Sequence, residues 1–142
     1  NKKLVLRSPN SIRPWQHVLD PLYGYLLLLM KLYKKQIISG SSFNFGPNKS
    51  SNKSVSEVIN LINKNFDNSV KIIKKKNNLR KYKESKVLMS NSDKSKKMLR
   101  WKSEYNLEQS IKLTSTWFKQ FNDKKNQNIL EVTQDQIREY LN

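Results

Sequence analysis

The 142-residue chain has no cysteine and no alanine, and it contains three glycines, four prolines and one histidine. The lack of cysteine excludes disulfide bonds and thiolate metal sites. The three glycines, Gly24, Gly40 and Gly46, do not form the glycine-rich loop that binds phosphates in dinucleotide-binding proteins. The longest apolar run, Leu22 to Met30, contains Gly24 and is shorter than the ~20 residues that a membrane-spanning helix needs. The sequence therefore predicts one modest domain without a membrane span.

Acidic residues are also scarce, because 28 lysines and arginines stand against 11 aspartates and glutamates and give a net charge of +17. Such an excess is typical of proteins that bind nucleic acids, so a basic nucleic-acid-binding module is one interpretation. Arginine, the usual side chain for bidentate contacts to phosphates and bases, supplies five of the 28 basic residues. We therefore expect no specific nucleic-acid partner. The scattered carboxylates predict neither paired acid/base catalysis nor a metal site.

Five helices are predicted from capping residues and apolar spacing. The pair Asp20-Pro21 is typical of a helix start, with Asp20 as the N-cap and Pro21 at the first helical position, and the apolar spacing extends to about Gln36. We expect the large apolar face of this helix to pack in part on an upstream domain and to be exposed without it. The other predicted starts are the capping boxes Ser54–Glu57, Asn106–Gln109 and Thr133–Gln136 and the polar pair Asn91-Ser92.

Short apolar runs bounded by turn residues predict strands between these helices. Residues 74–83 are basic and polar and predict a loop. The order of strands and helices predicts a mixed α/β fold. Several strands lack obvious partners and the chain begins with Asn1, so we expect it to be part of a longer protein. The predicted strands are Leu4–Leu6, Phe43–Pro47, Val70–Ile73 and Lys86–Met89.

The segment from Arg13 to Leu28 resembles a known family. Its residues Arg-Pro-Trp-Gln-His-Val-Leu-Asp-Pro-Leu are similar to the C-terminal part of CDP-glucose 4,6-dehydratases, which are extended short-chain dehydrogenases/reductases. The family often has glycine at Arg100, which suits a left-handed helix end, and it tends to have His-Glu at Lys83-Glu84. The resemblance continues at Phe43-Asn44-Phe45-Gly46-Pro47, Lys83-Glu84, Asp93-Lys94-Ser95-Lys96, Leu99-Arg100-Trp101, Leu107-Glu108 and Trp117-Phe118-Lys119.

This resemblance implies the C-terminal, substrate-binding part of the extended reductase fold, whose N-terminal Rossmann part would precede it. It implies an NAD-dependent lyase that converts CDP-glucose to CDP-4-keto-6-deoxyglucose in deoxysugar biosynthesis for a lipopolysaccharide O-antigen. NAD would bind the Rossmann part, so this chain alone would be inactive. The alternative within the fold is an epimerase or dehydratase for another base. We expect residues 1–122 to form the sugar-nucleotide-binding portion, residues 123–142 a polar linker and tail helix, and the complete enzyme to be a cytoplasmic homo-oligomer.

The resemblance also supplies five candidate substrate-binding residues and no catalytic residue in this chain. Arg13 would hold the diphosphate of the CDP-sugar, because a planar guanidinium can bind two oxygens at once, and the alternative is a surface arginine on a loop. Trp15 either stacks on the nucleotide or anchors its loop between two prolines. Asn44 either approaches the substrate phosphates or satisfies loop backbone. Lys83 and Glu84 complete the set.

Four further side chains are predicted to be structural rather than functional. His17 stands alone beside an apolar helix, and such a histidine is more often packed and hydrogen-bonded than catalytic. The remaining three are aromatic and are predicted to lie in the core. They are Trp101, Trp117 and Phe118.

Overall fold

A computed structural model describes residues 2–37, 39–74, 85–123 and 128–142. The fold is mixed α/β, as predicted. Its strands are β1 (Lys2–Leu6), β2 (Ile12–Pro14), β3 (Asn52–Ser54) and β4 (Val70–Lys74). Its helices are α1 (Leu19–Tyr33), α2 (Val55–Asn65), α3 (Asp93–Leu99), α4 (Leu107–Asn122) and α5 (Ile129–Leu141), and a 3₁₀ turn covers Lys49–Ser51.

The four strands form two separate pairs. β1 and β4 are parallel, with Leu4 opposite Ile72, whereas β2 and β3 are antiparallel. The predicted strands at Leu4–Leu6 and Val70–Ile73 are thus confirmed. The pair of β2 and β3 was missed, because three-residue strands carry too little alternation to be recognised in sequence.

Two predicted strands are absent. Phe43 to Pro47 has no strand partner among the described residues. Side chains bind two of its carbonyls instead: Gln16 Nε2 donates to that of Phe45 at 2.8 Å and Ser92 Oγ to that of Gly46 at 3.1 Å. The predicted strand Lys86–Met89 is reduced to one bridge, in which Val87 pairs with Ile12 of β2. Among the described residues, neither segment belongs to a continuous sheet.

The helix predictions hold where the cap is local. The capping boxes Ser54–Glu57 and Asn106–Gln109 are both formed and begin α2 and α4. The box at Thr133 was wrong, because α5 begins earlier with Asn128 as its cap. Thr133 instead accepts a hydrogen bond from Trp117 Nε1 at 2.9 Å and helps to hold α5 against α4.

In the described part of the chain, buried apolar residues form two clusters. The first joins α1 and α3 around Ile37, Leu99 and Trp101, with Phe43 and Phe45 packed against it. The second joins α2 and α4 around Val58, Leu107 and Ile111. Trp101 is 1% exposed, so its prediction as a core residue is confirmed, and Trp117 is partly buried. Phe118 is 47% exposed and is not a core residue, which corrects that prediction.

Helix α1 presents a broad apolar surface to solvent. Its inward side carries Gly24, whose lack of a side chain lets the Phe45 ring approach, and Leu27, Leu28 and Leu32. The apolar face that the spacing predicted to be buried therefore lies on the outside of this chain, which agrees with its expected exposure in the absence of an upstream domain. Its members are Leu22, Leu26, Leu29, Met30 and Tyr33.

Candidate functional site

The candidate site is built on the short strand β2, which carries Arg13 at its centre. On one side β2 pairs with β3, which places Arg13 opposite Lys53. On the other side Ile12 N–H donates to the carbonyl of Lys86 at 2.8 Å, and Leu88 N–H donates to that of Ile12 at 3.1 Å. Arg13 is therefore held on a strand that is hydrogen-bonded along both edges.

The half-buried Arg13 side chain is fixed by backbone oxygens. Its Nη1 donates to the carbonyl of Ile12 at 2.8 Å and to the carbonyl of Ser85 at 3.1 Å. These contacts orient the guanidinium next to residue 85, where the described chain resumes after the segment 75–84. Lys83 and Glu84 fall in that segment, outside the described residues, so their predicted roles have no structural description.

Trp15 anchors the loop that follows β2. Its Nε1 donates to the carbonyl of Lys53 at 2.9 Å, and its backbone N–H donates to Ser51 at 3.3 Å. The partly buried ring packs against the cluster of Val58, Leu107 and Ile111. Of the two roles predicted for Trp15, these contacts correspond to anchoring its loop. Its contact with a nucleotide stays a prediction.

Asn44 lies on a different segment, beside α3. The residue is exposed, whereas its backbone carbonyl accepts a hydrogen bond from Ser95 Oγ. The alternative of a buried amide that satisfies loop backbone is therefore wrong. The contact with substrate phosphates stays a prediction for this side chain.

His17 is packed as predicted. It is 4% exposed, its Nδ1 accepts a 3.4 Å hydrogen bond from the N–H of Leu19, and its ring meets the Tyr105 ring edge-on at 5.5 Å. Burial lowers the pKa of His17 below 6.5, and the nearby Asp20 opposes this effect in part. The imidazole is thus neutral at neutral pH and fixed in place, which suits a structural role rather than proton transfer.

Asp20 is the residue whose role was misjudged. The N-cap of α1 is Val18, and the Asp20 side chain caps nothing. It is fully buried and accepts hydrogen bonds from Ser103 Oγ at 2.8 Å, Glu104 N–H at 2.9 Å and Tyr140 O–H at 3.0 Å. It therefore joins three segments of the fold. No signal in the sequence distinguishes this role from a cap, because all three partners are more than 80 residues away.

Two further findings concern metal ions and membranes. The described residues contain no group of three or more histidine, aspartate and glutamate side chains placed to hold a metal ion. Within the same residues, no helix has the length and apolar character to cross a membrane.

Comparison with known proteins relates the chain to sugar-nucleotide enzymes, although no family model matches it. The CDP-glucose 4,6-dehydratase of Salmonella typhimurium is 41% identical over 59 residues, which is 42% of this chain and 16% of that protein. The chain thus covers about a sixth of the length of this curated relative.

Solved structures show the fold over nearly the whole chain. The NAD complex of dTDP-glucose 4,6-dehydratase from Bacillus anthracis matches 90% of this chain and 37% of its own, with a TM-score of 0.64 and 22% identity. The NAD complex of UDP-glucuronic acid 4-epimerase from Bacillus cereus matches 87% of this chain and 35% of its own, with a TM-score of 0.68 and 18% identity. The fold is therefore that of a part, about a third, of an extended short-chain dehydrogenase/reductase, and the resemblance of the sequence to CDP-glucose 4,6-dehydratase is confirmed.

Proposed function

We propose that this chain supplies the substrate-binding, C-terminal portion of a cytoplasmic, homo-oligomeric and NAD-dependent CDP-glucose 4,6-dehydratase. The observation that carries the proposal is the position of Arg13, held by two carbonyls on a strand that is hydrogen-bonded along both edges. A guanidinium fixed in this way loses less conformational entropy on binding a diphosphate than a mobile one. In this proposal Trp15 positions the Arg13 loop, and Asn44, Lys83 and Glu84 contribute further substrate contacts.

The described residues do not fit NAD. A dinucleotide-binding loop needs glycines between a strand and the helix that follows it. Gly24 lies inside α1 against Phe45, and Gly46 lies against Ser90. NAD would therefore bind the part of the complete protein that precedes these residues, and we expect no dehydratase activity from this chain alone. The exposed face of α1 would pack against that part.

Calorimetric titration of the complete protein with CDP-glucose and with NAD tests the proposal. Arg13→Ala should weaken the binding of CDP-glucose by about 1.5–3 kcal/mol, the range for a hydrogen bond to a charged group. Arg13→Lys should recover part of the loss, because an ammonium group cannot make the paired contact. NAD affinity should stay unchanged in both variants. The matched control is Arg138→Ala. Arg138 lies on α5, its side chain is 66% exposed, and it pairs with Asp135.

A second candidate differs in the base of the substrate. It is favoured by the fold, which is shared with a dTDP-glucose 4,6-dehydratase and a UDP-glucuronic acid 4-epimerase. Titration with dTDP-glucose and UDP-glucose beside CDP-glucose distinguishes the two candidates. Tightest binding of a sugar nucleotide other than the CDP-sugar would support the second one. Equal affinity of the parent and both Arg13 variants for every sugar nucleotide would contradict both.

A further inference from the structure

Gln16 connects the two segments to which the proposed function assigns substrate contacts. It lies in the loop after β2, three residues beyond Arg13. Its side-chain Nε2 donates a 2.8 Å hydrogen bond to the carbonyl of Phe45, the neighbour of Asn44 in the chain. This bond therefore joins the Arg13 loop to residues 43–47, which we call the Asn44 segment.

The Asn44 segment is also held by the start of α3. Ser95 Oγ donates to the carbonyl of Asn44, and Ser92 Oγ donates to that of Gly46 at 3.1 Å. Both serines are buried. Three successive carbonyls thus accept side-chain hydrogen bonds, two of them from the region of α3 and the middle one from Gln16. The bonds to the serines fix the segment on α3, and the bond to Gln16 fixes its position relative to the Arg13 loop.

Both ends of the Gln16 bond are anchored in the fold. On the loop side, the preceding residue Trp15 donates its Nε1 to the carbonyl of Lys53 at 2.9 Å. On the other side, the Phe45 ring meets the ring of the buried Trp101 edge-on, with 5.2 Å between the centroids. A hydrogen bond between two anchored segments determines their spacing, because neither segment can move freely to absorb a change.

The second polar atom of Gln16 indicates what this side chain contributes. Gln16 Oε1 is buried and has no hydrogen-bond partner within the described ranges. An unsatisfied buried acceptor destabilises a folded protein, and a leucine of similar size would not carry this cost. The bond from Nε2 and the unsatisfied Oε1 therefore offset each other in stability. What glutamine adds over leucine at this position is the connection to Phe45.

We propose that Gln16 is a positioning residue for substrate binding, which holds Asn44 at the spacing from Arg13 that one sugar nucleotide requires. Gln16 itself does not contact the substrate. A rigid ligand bound at two points loses one contact when their spacing changes, so the residues that support the contacts affect its affinity. This inference rests on the proposed function, which assigns the contacts of Arg13 and Asn44.

A double-mutant cycle tests this role by calorimetric titration of the complete protein with CDP-glucose. Gln16→Leu removes the hydrogen bond at similar size and should weaken binding about fivefold, within the range for one hydrogen bond. Asn44→Ala should weaken binding at least as much. The double variant should bind like Asn44→Ala alone, because Gln16 acts through Asn44. A purely structural effect of Gln16 would instead multiply with the loss at Asn44.

Gln136→Leu is the matched control. The half-buried Gln136 donates its Nε2 to the carbonyl of Leu113 at 3.0 Å, and this bond joins α5 to α4, which carry none of the proposed contacts. The control should bind CDP-glucose like the parent, and the melting temperature of Gln16→Leu should not lie below that of the control. If both variants weaken binding equally, the loss reflects general destabilisation and the positioning role is wrong.

The outcomes separate this inference from the proposed function. If Arg13→Ala weakens CDP-glucose binding and Gln16→Leu does not, the role of Gln16 is wrong and the proposed function stands. The same holds if Asn44→Ala binds like the parent, or if the losses at Gln16 and Asn44 multiply. If Arg13→Ala changes nothing, the proposed function fails and the positioning role fails with it.

Discussion

The buried carboxylate of Asp20 offers a graded test of how the fold is held together. Asp20→Ala would leave the Ser103 hydroxyl, the Glu104 N–H and the Tyr140 hydroxyl without their acceptor. Ser103 can turn toward the carbonyl of Tyr105, at 3.4 Å, but the backbone N–H of Glu104 cannot move. Since an unsatisfied buried polar group costs about 1–3 kcal/mol, we expect a total loss of about 3–5 kcal/mol.

Tyr140→Phe should give the smallest step in this series. It removes one donor to Asp20 and keeps the ring, which packs edge-on against Tyr23 and Tyr105. We expect a loss of about 1–1.5 kcal/mol, the net value of one hydrogen bond. Tyr33→Phe is the matched control, because Tyr33 is 89% exposed and its substitution should change nothing.

Urea unfolding followed by tryptophan fluorescence measures these losses, because Trp101 Nε1 donates to the carbonyl of Asp20 at 2.9 Å. An alkaline series adds a second readout. Burial, followed by the nearby Asp20, raises the pKa of Tyr140 above 10.0 in the folded protein. The unfolded state then loses its proton first, so this contribution to stability is complete below pH 10 and is lost as the pH rises further. If Asp20→Ala costs less than about 1 kcal/mol, the carboxylate does not join these segments.

Three further outcomes follow from the described residues. Arg100 ends α3 in the left-handed conformation, with φ of 56°, which strains a residue that has a side chain. Arg100→Gly should therefore raise the free energy of unfolding, measured by urea titration, by about 0.5–1 kcal/mol. A lower free energy of unfolding in this variant would contradict the backbone strain. The chain should bind a fluorescent dye that recognises exposed apolar surface. The double variant Leu26→Gln and Leu29→Gln should bind less dye at unchanged stability, because both residues are exposed. Leu28→Gln should destabilise the fold instead, because Leu28 packs against the core. Because burial lowers the pKa of His17, stability should fall as the pH drops below 6.5 toward that lowered pKa, and His17→Gln should flatten this part of the pH curve.

Local sequence determined the parts of this protein whose contacts are close along the chain. The capping boxes at Ser54 and Asn106 each need a partner three residues away, so the residue types alone predict them. The same holds for the left-handed end of α3 at Arg100, where the family pattern indicated glycine. The resemblance of the segment from Arg13 to Leu28 to a known family predicted the fold and that the chain is its C-terminal portion, because such a motif consists of neighbouring residues in the sequence.

Tertiary structure alone decided the features that depend on partners far along the chain. Asp20 has the sequence pattern of a helix cap, but its acceptor oxygens are used by residues 83 to 120 positions away. Phe43 to Pro47 has the pattern of a strand, but strand formation needs a neighbour, and its carbonyls were bound by side chains instead. Lys53 is one of many lysines in the sequence, and only the antiparallel register of two three-residue strands places it opposite Arg13. Pairing between distant segments is set by packing of the whole chain, and for that reason local patterns did not predict it.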